Sequence, residues 1–166
     1  MAAKKKTAKR TAKRIPKKTV RKKAASAAKA KRPKRAKPET LRLKSSSPSL
    51  TVNDVEKTLA FYRDVLGFTV KDRWEENGKL RGLILLAGDV EFYVSQDDWK
   101  KGRDRRKGEG ISVYCSTVQD VSALAGEMKA RGAVLDQEPT DQDWGRSFAL
   151  TDPDGFKVTI VKEKRR

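Results

Sequence analysis

The chain contains no histidine in 166 residues. That removes the commonest general base near neutral pH, every Ser-His relay and the imidazole donors on which most divalent-metal sites depend. The single cysteine, Cys115, cannot form a disulfide within the chain, and a lone thiol suits a reducing, intracellular compartment. No apolar run approaches the ~18 residues of a membrane span, so no membrane partner is expected. A secretory leader is not expected either, because the N-terminus has no hydrophobic stretch. Two further absences are local. No acid precedes Glu39, and no aromatic residue precedes Phe61.

Those local absences divide the chain. Met1 to Lys44 holds 20 basic residues and one acid, a net of +19, and the remainder holds 20 basic and 21 acidic residues, a net of −1, which together give the +18 of the whole. Residues 1–44 therefore read as a Lys/Arg/Ala-rich tail, and 45–166 as one folded domain with a nearly neutral surface. The tail has too few large apolar side chains to bury a core, like charges crowd along it, and Pro16, Pro33 and Pro38 oppose a continuous helix. Disorder is expected. In composition it resembles the tails of linker histones and of basic nucleoid proteins. Lys4, Lys5, Lys6, Lys9, Arg10, Lys13, Arg14, Lys17, Lys18, Arg21, Lys22, Lys23, Lys31, Arg32, Lys34 and Arg35 are the expected phosphate contacts, sequence-independent and driven by counterion release. Without aromatics the tail cannot stack on unpaired bases, so duplex should bind at least as well as single strands. The expected location is cytoplasmic and nucleoid-associated; a solubilising extension, or attraction to anionic membrane or ribosome surfaces, is the plainer alternative.

The domain is organised around Ser49 to Phe68. Leu50 and Val52 alternate with polar neighbours as in a half-buried strand, Asn53 or Asp54 can cap a helix, and Val55, Leu59, Tyr62 and Leu66 line one helical face before Gly67. The phrase recurs: TVNDV at Thr51–Val55 returns as TVQDV at Thr117–Val121, 66 residues on, and again leads into a helix ending near a glycine, Gly132. Three strand-like runs follow each helix. The first set is expected near Thr69–Glu75, Arg81–Ala87 and Val90–Val94, with Asn77-Gly78 as a tight hairpin turn. The second is expected near Val134–Gln137, Arg146–Thr151 and Phe156–Val161, after a strand at Ile111–Thr117. The fold class is thus α+β, two βαβββ modules at about 45–98 and 110–166, joined by a basic loop, Trp99 to Gly110, that reads as a solvated connection or as an extension of the nucleic-acid surface.

The DVEKTLAFYRDVLGF phrase, the LLAGDVEFYV strand, the WGRSFALTDPDGFKVTIV ending and the repeat itself resemble the vicinal oxygen chelate superfamily, which includes glyoxalases, extradiol dioxygenases and bleomycin-resistance proteins. The resemblance implies a curved mixed sheet around a cleft, helices outside, and frequent pairing of subunits, hence a homodimer. Metal-binding members place ligands on the first and last strand of each module. Carried over, those positions fall on Ser47, Glu91, Val113 (Ser112 if a bulge shifts the register) and Thr159. Only Glu91 is a credible donor, and one carboxylate cannot hold a divalent ion, so neither metal nor other cofactor is expected.

Glu91 is also the one candidate catalytic group, a base if burial raised its pKa; the alternative is a carboxylate paired with an arginine such as Arg146. Alternation along the strand turns Val90, Phe92 and Val94 toward the helices and Glu91 and Tyr93 toward the cleft. Cys115 shares parity with Val113 and is expected on the cleft side. With Trp99, Trp144 and Arg146, these residues are the expected lining for a flat organic ligand. Three functions fit: a metal-free small-molecule-binding domain tethered to nucleic acid by its tail, a lyase or isomerase using Glu91, or a nucleoid-associated protein whose folded part mainly dimerises.

Overall fold

A computed structural model describes residues 43–164 of the chain. The expected phosphate contacts, Lys4 to Arg35, lie outside the described residues. Strand β1 (Ser49–Val52) leads into helix α1 (Val55–Ala60), which continues as a π-helical turn, Phe61–Val65, and is followed by β2 (Thr69–Glu76), β3 (Lys79–Ala87) and β4 (Val90–Gln96). The second module repeats the order with β5 (Ser112–Ser116), α2 (Val121–Ala130), β6 (Leu135–Gln142), β7 (Gly145–Thr151) and β8 (Lys157–Glu163). Each module forms its own four-stranded sheet, β1-β4-β3-β2 and β5-β8-β7-β6, with the first pair parallel and the others antiparallel.

Local chemistry explains the boundaries. The Asp54 carboxylate accepts from Glu56 N and Lys57 N, and Asp120 accepts from Ala123 N, so each helix starts at the aspartate of its repeated phrase. Asn77 and Gly78 both take positive φ, 52° and 71°, and set the β2–β3 register at Glu76 opposite Lys79. Strand β6 runs to Gln142, beyond the expected end at Gln137. Pro139 falls where the β6–β7 register shifts, between Gln137 and Thr140, and an edge strand tolerates a proline there before pairing resumes at Thr140 opposite Ser147.

One core serves both modules. Tyr62, Phe68 and Phe92 meet with ring centroids 5.3–5.7 Å apart, and Leu50, Val52, Leu83, Leu85 and Val94 join Phe148, Leu150 and Val158 around them. Polar contacts then fix the seam at the β7–β8 turn. Asp152 Oδ1 accepts from Asp154 N (2.9 Å) and Phe156 N (2.8 Å), which shapes the turn. Asn53 N donates to Asp154 Oδ1 (2.7 Å), Thr58 Oγ1 lies 3.1 Å from Asp154 Oδ2, and Tyr62 Oη donates to Asp152 Oδ2 (3.2 Å). The inter-module loop closes over the same turn: a Cβ added at Gly108 would fall 2.1 Å from the Gly155 carbonyl oxygen.

That loop is less solvated than its composition suggests. Asp97, buried at its base, accepts from Lys107 Nζ, Arg105 Nη2 (2.9 Å) and Trp99 N (2.9 Å). Lys100 pairs with Asp98 and Arg106 with Glu109, so four of the loop's six cations face carboxylates. Its capacity to extend a phosphate-binding surface is correspondingly small.

Candidate functional site

Each sheet has one face on the helices and an opposite face that carries exposed aromatics, the second sheet's being buried at its centre by Ser147, Ala149, Thr159 and Val161. On the first sheet the core takes Phe92 and Val94 of β4, with Val90 packed against it, as expected from alternation. The open face carries Glu91, Tyr93 and, by register, Ile84 and Trp74, since Ile84 pairs with Tyr93 and Trp74 with Gly82. On the second sheet Val158 and Ile160 face the helices, so Thr159 and Val161 lie on the opposite face, buried at 6 % and 3 %, beside the exposed Tyr114 and Ser116 of β5.

The module repeat misleads by one residue at β5. Residues 113, 115 and 117 are half-buried and 112, 114 and 116 exposed, whereas in β1 the even-numbered Leu50 and Val52 enter the core. Strand β5 also stops earlier relative to its helix cap: three residues separate Ser116 from Asp120, and one separates Val52 from Asp54. Cys115 is therefore on the helix side of its sheet, not the open side, and burial pushes its thiol pKa up. Val113 turns inward with it. Ser112, the bulge alternative, takes the outward position.

Of the four ligand positions the resemblance implies, Ser47, Val113 (or Ser112) and Thr159 offer at most hydroxyls, which stay protonated near neutral pH and are poor donors. The fourth, Glu91, is already engaged. Lys71 Nζ binds its Oε1 and Tyr93 Oη lies 3.5 Å from Oε2. Lys71 reaches it from a register shift in β2 between Val70 and Asp72, and the carboxylate raises the lysine's pKa in return. These residues do not fit a divalent metal. Among the described residues no group of three His, Cys, Asp or Glu side chains is arranged to hold one.

Arg146 does not partner Glu91. Its guanidinium donates to Ser122 Oγ (3.1 Å) on α2, to Asp141 Oδ2 (2.7 Å) and to the Pro139 carbonyl (3.3 Å), and it is spent on the helix side. Trp99 belongs to the inter-module loop, where Arg103 stacks 4.9 Å from its ring centroid. Tyr93 and Trp144 are open, 38 % and 47 % exposed. Trp144 shares a shallow hollow of about 320 Å³ with Tyr114, Ser116, Val161 and Glu163. Two aromatics escaped the sequence reading. Tyr114 was hidden by the register slip. Trp74 lies flat over Gly82, where an added Cβ would fall 2.0 Å from its Cζ2; the hairpin turn at Asn77-Gly78 was the available signal for that pairing.

Comparison with known proteins agrees with this architecture. The model of the Glyoxalase/Bleomycin resistance protein/Dioxygenase superfamily matches residues 44–160. Among curated relatives, "Glutathione transferase FosA" of Serratia marcescens is 26 % identical over 114 residues, 68 % of this chain and 75 % of that protein. A "Bleomycin resistance protein" of Geobacillus stearothermophilus is 24 % identical over 131 residues, covering 71 % of this chain and 96 % of the relative. Among solved structures, TnmS3, an antibiotic binding protein from Streptomyces sp. CB03234, superposes with a TM-score of 0.59 at 21 % identity over 75 % of this chain and 99 % of that one, a likeness of fold. The paired βαβββ modules, their repeated helix caps and the match across most of the folded domain place this chain in the Glyoxalase/Bleomycin resistance protein/Dioxygenase superfamily.

Proposed function

We propose that the domain binds a flat organic molecule on its open sheet faces without a metal ion, and that the cationic tail tethers it to nucleic acid. The observation that carries the first part is the pairing of Glu91 with Lys71 beside exposed aromatics. The family's metal position is neutralised by a cation, while Trp74, Tyr93, Tyr114 and Trp144 present ring faces that suit stacking. Relatives named for bleomycin resistance and antibiotic binding support this direction. A homodimer is the working unit in this reading, since a second copy of the chain would cover the exposed aromatics.

Chemistry through Glu91, as in a lyase or isomerase, would first require Lys71 to release it. The nucleoid-associated reading shares the tail and the dimer but needs no ligand, so a ligand decides between them. Thermal melting of the protein against a panel of planar aromatic compounds is the test. A ligand at 100 times its Kd stabilises the native state by about 2.7 kcal/mol. The shift should appear in the wild type and shrink in Trp74→Ala and Trp144→Ala. No shift across the panel, or shifts indifferent to both substitutions, would leave the dimerising reading in its place.

A further inference from the structure

The repeat that relates the modules is broken at one place. The offset of 66 residues maps Asp54 onto Asp120 and Val55 onto Val121, so the two helices correspond. At the first helix Asn53, Thr58 and Tyr62 grip the β7–β8 turn. The same offset maps these three residues onto Gln119, Leu124 and Met128. By symmetry the β3–β4 turn should fill the space against them. The β7–β8 turn has five residues, Asp152 to Phe156, but the β3–β4 turn has two, Gly88 and Asp89, and stops short. What remains is a cavity of about 1170 Å³ with Gln119, Leu124 and Met128 on one wall and Ala87 to Val90 on the other.

The walls have changed character along with the gap. A threonine and a tyrosine that hold carboxylates at one seam correspond to a leucine and a methionine at the other. Leu66, Phe68 and Ile160 form an apolar floor and keep 7 %, 6 % and 9 % exposure toward an opening that no side chain of the described residues closes. The rim is close to electrically balanced. Asp89, Glu127 and Glu163 face Arg131 and Lys162, a net of −1, with Arg131 tied to Glu127 Oε2 (3.1 Å) and Glu163 accepting from Ser116 Oγ (3.1 Å). Nothing there selects an ion. The cavity is on the helix side of the second sheet, because Cys115 and Ile160 reach it, and it adjoins the aromatic hollow at Ser116 and Glu163 while Tyr114 and Trp144 lie outside it.

We propose that this cavity is a second binding site, for an uncharged, largely apolar organic molecule that occupies the place the short β3–β4 turn leaves. Its volume is slightly above that of most small-molecule sites, which run to about 1,000 Å³.

The full chain titrated with Nile red, a neutral apolar probe, tests this with Cys115 as reporter, since the thiol lies in the cavity wall. With probe at about ten times its Kd, modification of Cys115 by N-ethylmaleimide slows about tenfold, because only the unliganded fraction exposes the thiol. Ala87→Phe and Leu124→Trp fill the space from opposite walls, and each removes the probe-dependent protection; Trp144→Ala on the open face leaves it intact. Melting curves identify a filled variant that has unfolded, in which case the other variant and the wild-type protection decide. An unchanged modification rate at saturating probe overturns the proposal. So does protection that survives both filled variants but disappears in Trp144→Ala. Protection that grows with protein concentration in the absence of probe would assign the cavity to a second copy of the chain, and equally overturn it.

Discussion

At the scale of single residues, two buried aspartates, Asp97 in the loop clasp and Asp152 in the seam, respond to pH in opposite senses. Asp97 is held down to about 2 by the hydrogen bond from Lys107, then by the Trp99 amide and the neighbouring Arg105. Its pKa is below the unfolded value of about 3.9, so the clasp contributes fully above that value and is lost as pH falls toward 2. Asp152 is raised, chiefly by burial, against the opposing pull of the Phe156 and Asp154 amides. Its charge therefore weakens the fold as pH rises through the carboxylate range and is harmless below it. Denaturant midpoints measured between pH 2 and 5 should fall less steeply toward acid in Asp97→Asn than in the wild type. Asp152→Asn should match or exceed wild-type stability at pH 7, since an amide oxygen still accepts both backbone bonds and the Tyr62 hydroxyl can turn to accept from the amide nitrogen. Tyr62→Phe, by contrast, strips a buried carboxylate oxygen of its donor and should cost about 1–3 kcal/mol. A Tyr62→Phe protein as stable as wild type would remove this bond from the seam.

Elements were legible where a short-range rule sets them. The aspartate caps, the Asn77-Gly78 turn and the period-two pattern of β4 gave helix starts, a hairpin register and the orientation of Glu91 and Tyr93. The reading failed where two elements several residues apart decide. The parity of β5, inverted relative to β1, turned Cys115 inward and Tyr114 outward. The bulge in β2 brought Lys71 to Glu91, and the continued β6–β7 pairing drew Arg146 to Asp141 and Ser122; neither partner is a sequence neighbour of the expected site. The inter-module loop makes the same point energetically. Gly108 takes φ +70° against the Gly155 carbonyl, so Gly108→Ala combines backbone strain with a clash and should destabilise by more than about 1 kcal/mol. Within residues 45–166, limited trypsin digestion should then cut first between Lys100 and Lys107. Unchanged cleavage would mean that the loop is not held by this contact.

On the scale of the whole molecule, nearly all of the net charge lies outside the described fold. Removing Met1 to Lys44 takes away +19 and leaves a domain with a net charge of −1 and its own core. The full chain should bind duplex DNA with little sequence preference, and ten phosphate contacts would give a log–log salt slope of roughly −9. The truncated domain should bind almost none, because the basic loop has matched most of its cations internally. Equal affinity of the two proteins in an anisotropy titration would remove the tail from the mechanism. The central claim, though, is metal-independent recognition by the domain, and it is tested most directly by the affinity of one stabilising aromatic compound measured twice: once with a strong chelator present, once with excess Zn²⁺ or Mn²⁺. The same Kd in both, unchanged by Glu91→Ala and weakened by Trp144→Ala, is the predicted result. Binding that appears only with the metal and disappears with Glu91→Ala would contradict it.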